Sequence, residues 1–122
     1  MQRLVNALIW GQNDGGTGQG SWDYDFNSSR GDGSTLGWDT TALLDANAAG
    51  ATVPAWVKVE YTKGFNCTLN TDGSFDYVAD CNAAGLSSPG PQKAGIGMQG
   101  LFLLGETSGA RFDAVKANIN SW

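Results

Sequence analysis

The chain has no histidine, only seven Lys and Arg, three prolines and two cysteines among its 122 residues, and no long apolar run. Each shortage removes a class of function. Without histidine there is no Ser-His-Asp or Cys-His relay, and the commonest ligand of zinc, copper and non-haem iron is missing. The balance of charge is −5, and no cluster of Lys and Arg interrupts it. A nucleic-acid partner is therefore not expected, because such binding rests on cations that displace counterions from phosphates. No apolar stretch approaches the ~20 residues that cross a bilayer, so no membrane insertion is expected. Met1-Gln2-Arg3 is not followed by a signal-peptide pattern. If the protein is exported, its signal has been removed or belongs to a longer parent chain.

What is present suits a folded domain. The chain is 41% hydrophobic and 16% charged, and its length allows one core rather than two. Eighteen glycines imply tight turns or close backbone approaches. For acid–base work there remain ten Asp, two Glu and three Tyr, so carboxylate-pair chemistry of the glycosidase kind stays open. Cys67 and Cys81 enclose thirteen residues, a spacing that fits neither a thioredoxin-like pair nor a zinc site. It does fit a disulfide, worth roughly 3 kcal/mol in the chain-entropy model. An acidic composition rich in Asn, Ser, Thr and Gly points to an extracellular or cell-surface location, where such a bridge persists; two free thiols are the alternative. Asn27-Ser28-Ser29 and Asn66-Cys67-Thr68 are glycosylation sequons.

The chain also repeats itself. Gly20-Ser21-Trp22-Asp23-Tyr24 returns as Gly73-Ser74-Phe75-Asp76-Tyr77, a shift of 53. Asn13-Asp14-Gly15-Gly16 precedes the first copy and Thr71-Asp72 the second. Downstream, the stretch from Gly37-Trp38-Asp39 to Leu44 parallels Gly97-Met98-Gln99 to Leu104, a shift of 60. The seven-residue difference is an insertion in the second loop, which holds Cys81 and the turn-rich Ser87-Ser88-Pro89-Gly90-Pro91. Two matched blocks in the same order mark a repeat. The whole chain reads as one repeat domain, 1–122, with blocks at approximately 12–64 and 65–122 preceded by a helix at 2–10.

The intervening segments carry helical periodicity. Leu4, Val5, Leu8 and Ile9 share one face. Residues 35–49 hold Leu36, Leu43, Leu44 and several alanines, and stop at Gly50. Val53-Pro54 opens a helix that runs through about Tyr61. Residues 93–105 are apolar nearly all round, with Gly95, Gly97 and Gly100 shaving one side for close packing. Phe112, Val115, Ile119 and Trp122 form the cleanest stripe. The expected fold is all-α: helical-hairpin repeats, about two and a half of them. The inner layer would hold 35–49 and 93–105, and the outer helices would carry Lys58, Glu60, Lys63, Arg111 and Lys116.

On Gln12-Asn13-Asp14-Gly15-Gly16 through Gly20-Ser21-Trp22 the chain resembles the α/α-toroid superfamily, which includes terpenoid cyclases, protein prenyltransferase β subunits and complement thioester domains. These residues are similar to the repeated Gln…Gly-x-Trp turn of the cyclases. The second copy, Asp72-Gly73-Ser74-Phe75, has Phe for Trp and no matching Gln. The chain also resembles surface proteins with prenyltransferase-like repeats, in which a Trp-Asp-Tyr turn precedes a segment like Arg30-Gly31-Asp32-Gly33-Ser34. The resemblance implies a partial toroid, and fold kinship does not by itself carry function. The family's catalytic residues are missing. Asp23-Tyr24-Asp25-Phe26 stops short of the cyclase acid run, the prenyltransferase zinc set needs a histidine, and Cys81 is not followed by the thioester sequence. The chain is therefore not expected to be an enzyme, and no cofactor is expected.

Several residues remain as candidates. Asp39 and Gln99 occupy matching places on the inner helices and could face one pocket, or else cap or bond to neighbouring helices. Asp14, Asp23, Asp25 and Asp32 lie in Gly-rich loops that could wrap calcium, although no EF-hand spacing is present. The competing reading has Asp23 and Asp76 bonding to turn N–H groups. Trp10, Trp22, Trp38, Trp56, Phe75 and Tyr77 offer either an aromatic platform for a glycan or small ligand, or hairpin-to-hairpin packing. Solvent exposure of the indoles separates the two. Arg30-Gly31-Asp32 matches the integrin tripeptide, a match that a short loop produces by coincidence. The favoured function is a non-catalytic structural and interaction module, because stacked hairpins leave apolar faces at their ends. Neighbouring repeats of a longer chain or a second copy would cover those faces, with Trp122 as a contact residue. The alternative is a ligand- or glycan-binding, or enzymatic, fragment of a larger toroid.

Overall fold

Local signals set most helix ends. The Asp32 carboxylate accepts the Ser34 and Thr35 N–H groups and so caps α2, Gly33–Ala48. That helix follows α1, Gln2–Gly11. Pro54, in extended backbone, stands just outside α3, Ala55–Thr68, rather than inside its first turn. Gly90 and a proline at the first helical position start α4, Pro91–Leu104, and Gly105 ends it in the left-handed region at φ 80°. The last helix is α5, Ala110–Asn120. A computed structural model supplies this description for residues 1–79, 81 and 90–122. The part of the second-loop insertion at 87–89 lies outside the described residues.

Among the described residues the chain is helical, with two isolated bridges and no strand. The expected all-α hairpin fold is what forms. Helix α3 continues seven residues past Tyr61, where its apolar pattern was expected to end, and includes Gly64. A helix-interior glycine reads as a stop in sequence. Here it admits the first turn: a Cβ at Gly64 would lie 2.9 Å from the Ser21 backbone nitrogen. The block boundary at 64/65 therefore falls inside α3. A repeat has a period but no phase of its own, and the natural units are the hairpins α1–α2 and α3–α4, followed by α5.

The repeat is visible in the hydrogen bonds of the turns. In the first, the Asn13 N–H donates to Ser21 O and the Gly20 N–H to Asn13 O. In the second, the Asn70 N–H donates to Ser74 O and the Gly73 N–H to Asn70 O. Each Asn amide also donates to the serine hydroxyl, Ser21 or Ser74. Asn13 thus corresponds to Asn70, and the first turn is the longer by four residues. Gly20 and Gly73 share left-handed φ values of 85° and 81°. A side chain at Gly20 would strike the Glu60 carbonyl of α3, and one at Gly73 the Ala114 carbonyl of α5. Each turn rests on the outer helix of the next unit.

The inner helices α2 and α4 pack along each other, with α1 against α2 and both α3 and α5 against α4. Between them runs a buried aromatic column. Trp22 of the first turn lies 6.1 Å from Tyr61, Tyr61 stacks on Phe65 at 5.4 Å, and Phe65 meets Phe75 of the second turn at 5.7 Å. Such pairs each add about 0.5–1.5 kcal/mol beyond the area they bury. The turns are also joined directly, by the Gly33 N–H to Tyr77 O at 2.6 Å and the Ala79 N–H to Gly31 O at 3.0 Å.

Candidate interaction surfaces

A groove of about 380 Å³ runs between the inner helices, lined by Ser34, Gly37, Trp38 and Thr41 of α2 and by Gln92, Ile96 and Gln99 of α4. Trp38 stands over it with 77% of its surface exposed. Gln99 is therefore in the groove, but its repeat partner Asp39 is not among the lining residues. The reason is geometric. Equivalent positions of neighbouring repeat helices point the same way in space, not toward each other, and one step along a helix turns the side chain by about 100°. Trp38, one residue earlier, is the side chain that lines the groove with Gln99. Asp39 is half-buried, and burial alone pushes its carboxyl up to about 6.

Two of the four loop carboxylates, Asp23 and Asp32, are spent on local structure. Asp23 accepts the Tyr24 N–H at 2.8 Å, the Ser28 hydroxyl at 3.0 Å and the Arg30 guanidinium at 3.2 Å. Burial raises its pKa, and these three bonds together outweigh burial and hold it below the usual value. Asp32 caps α2. Asp14 and Asp25 are exposed. Among the described residues no three His, Cys, Asp or Glu side chains converge as a metal site would require. Asp76 accepts from the Asn70 amide at 3.0 Å, whereas the bond to a turn N–H in the second copy is made by Asp72, from Ser74 at 2.9 Å. In the Arg30-Gly31-Asp32 tripeptide, the arginine is paired with Asp23 and the aspartate with the helix start.

The aromatics divide. Trp22 is 3% exposed, and its indole N–H donates to Leu8 O at 2.8 Å. With Phe75 it belongs to the core, so Trp22 is not a binding surface. The other four indoles, Trp10, Trp38, Trp56 and Trp122, are all more than half exposed. Cys67 and Cys81 are disulfide-bonded. The bridge joins the last turn of α3 to a residue whose N–H donates to Thr17 O at 3.0 Å in the first turn. Of the sequon residues, Asn27 is exposed at φ 53° and its side-chain oxygen accepts the Asp14 N–H. Asn66 is exposed on α3 and accepts from Arg111 at 2.8 Å.

Sequence reasoning did not single out the apolar groove between α1 and α2. About 590 Å³ in volume, it is lined by Met1, Leu4, Val5, Ala7 and Leu8 on one side and by Ala42, Asp45, Ala46 and Ala49 on the other. Leu4 is 67% exposed there. The alanine run of α2 was its signal, since small side chains leave room that α1 does not fill. Of the three outer helices, α3 receives the Gly20 turn and α5 the Gly73 turn, and neither glycine rests on α1.

No protein-family model, no curated protein and no solved structure matches this chain. The resemblance to the toroid superfamily therefore stays a resemblance of turn motifs and hairpin order. No helix among the described residues is long and apolar enough to cross a membrane.

Proposed function

We propose that the chain is a non-catalytic structural and interaction module of an extracellular or cell-surface protein, a partial toroid that joins a further helical hairpin through the α1–α2 groove. The observation that carries this reading is the uncovered α1. Inside the chain, α3 and α5 each receive a turn from the unit before them. On α1 the corresponding place is an open apolar groove with exposed Met1 and Leu4. Removing an apolar groove of this kind from water is favourable, and exposed apolar surface of this kind marks contact sites. The occupant is a hairpin of the same kind, from a second copy or from neighbouring repeats of a longer chain. The Cys67–Cys81 disulfide supports an oxidising location. The local bonding of Asp23 and Asp32, and the absence of Asp39 from the lining of the groove that holds Gln99, give no support to an active site.

Light scattering over a wide concentration range, without reductant, tests the self-association arm. Mass should rise with concentration, and Leu4→Asp should weaken association at least tenfold, because it places a charge in the groove. A wild-type chain that stays monomeric throughout removes self-association and leaves only covalently linked neighbours as the occupant.

A further inference from the structure

A second groove, of about 330 Å³, is bounded by Ile9, Trp10, Gln12, Asn13, Asp14, Asn27, Trp56 and Glu60. It lies apart from the α1–α2 groove and shares no residue with the one at Trp38. Two facts distinguish it. Its residues Gln12 and Asn13 are 5% and 0% exposed, and the amide oxygen of each has no donor. Neither amide can turn over to cure this. The Gln12 nitrogen donates to Gly20 O at 3.0 Å and Val57 O at 3.3 Å. The Asn13 nitrogen donates to Arg30 O at 2.7 Å, Gly18 O at 3.3 Å and the Ser21 hydroxyl. Exchanging nitrogen for oxygen would set acceptor against acceptor, so both oxygens are held where they are. Buried acceptors without donors are rare in native proteins, and each is costly. Both oxygens expose less than 1 Å², so they lie beneath the groove floor and make it polar without meeting a ligand directly.

The second fact is the pair of indoles. Trp10 and Trp56 both border the groove and both are largely exposed. Trp10 is steadied edge-on by Phe26 at a ring separation of 5.4 Å. Among the described residues no Lys or Arg lines the groove, and its charged members are Asp14 and Glu60. Glu60 is already paired with Lys63 at 2.8 Å and accepts from Gln19. The groove thus offers acceptors and apolar ring faces, with Asp14 its one carboxylate outside the ion pairs of the described residues. A ligand that matches must bring many donors and an apolar face of its own, with no negative charge. Sugars have that chemistry: hydroxyls around the edge and C–H groups on the face, which stack on indole.

We infer that the Trp10–Trp56 groove is a binding site for a neutral saccharide, with the ring against one or both indoles and hydroxyls donating to the Asp14 and Glu60 carboxylates that border it. This site is independent of hairpin docking at α1–α2. The test uses the whole chain with cellotetraose, maltotetraose, xylotetraose, mannotetraose and chitotetraose. Binding is followed by tryptophan fluorescence and by saturation-transfer NMR on the sugar protons. At least one sugar should bind, with the strongest transfer to its C–H face. Trp10→Ala and Trp56→Ala, both at exposed positions that the fold tolerates, should each lower its affinity at least tenfold, whereas Trp38→Ala should leave it within twofold. No binding by any of the five sugars overturns the inference. So does binding that is lost in Trp38→Ala but kept in the other two variants. Tetramethylammonium serves as a cation probe, and its binding in place of the sugars would also overturn it.

Discussion

Asp39 sits on an inner helix with its carboxyl partly withdrawn from water, and burial raises it to about 6. The sign of its effect on stability follows. Between the ordinary aspartate value and about 6 the folded chain holds a proton that the unfolded chain has released. The Asp39 contribution therefore falls as pH rises through that window and is lowest above it. The full shift would be worth almost 3 kcal/mol, and solvent screening of a half-exposed group reduces it to about 1 kcal/mol. Asp39→Asn should raise the unfolding free energy at pH 7 by that amount, read from urea midpoints, and have little effect at pH 4. An equal gain at both values would show that packing, not charge, limits this position. Gly20 tests a different residue-scale claim. Gly20→Ala adds a Cβ against the Glu60 carbonyl at a left-handed φ, whereas Gly50 has a similar φ of 87° and nothing within 4 Å. Gly50→Ala should cost about 1 kcal/mol for the backbone alone. Gly20→Ala should cost about 2 kcal/mol more than that, because the turn must lift off α3. Equal costs would mean that the turn-to-helix seat contributes nothing.

At the scale of elements, the disulfide and the aromatic column are separate fastenings. The bridge joins the end of α3 to the loop beyond Phe75, while the column from Trp22 to Phe75 passes from ring to ring. Reduction, or Cys67→Ser with Cys81→Ser, should lower stability by about 3 kcal/mol, read from urea midpoints. The far-UV helical signal in water should persist. If the signal collapses, the column alone does not hold the hairpins together. The same elements show what the sequence could disclose. All five helices are legible from apolar spacing and stop signals, because those signals are local. The repeat is legible because Gly-Ser-aromatic-Asp-Tyr occurs twice. The continuation of α3 past Tyr61 is not, since the reason for Gly64 lies forty-three positions earlier at Ser21. The candidate sites were harder still. Asp39 and Gln99 share a repeat position, yet only the packing of α2 on α4 decides which α2 residues line a groove with Gln99, and Trp38 does while Asp39 does not. Gln12 entered the reading as part of a family motif. Its unpaired oxygen is a fact of three dimensions that no spacing reveals.

For the molecule as a whole, the hairpin order makes the two sides of the array unequal. Helix α4 has α2, α3 and α5 around it, whereas α1 packs mainly on α2 and leaves Leu4 in water. In a linear array each unit is stabilised by its neighbours, so an end opens at lower cost than the middle. Amide hydrogen exchange at low concentration should therefore be slowest in α4 and in the part of α3 around Tyr61 and Phe65, and markedly faster in α1. If a second hairpin occupies the α1–α2 groove, raising the concentration should slow exchange in α1 and along the Ala42–Ala49 side of α2. The amides of α5 should keep their rate, because their surface lies elsewhere in the array. Leu4→Asp should abolish the concentration dependence without changing the rates in α4. A uniform slowing of all five helices would instead indicate association through some other face, with the whole chain stabilised by mass action. The location of the change, not its size, identifies the surface that meets a partner.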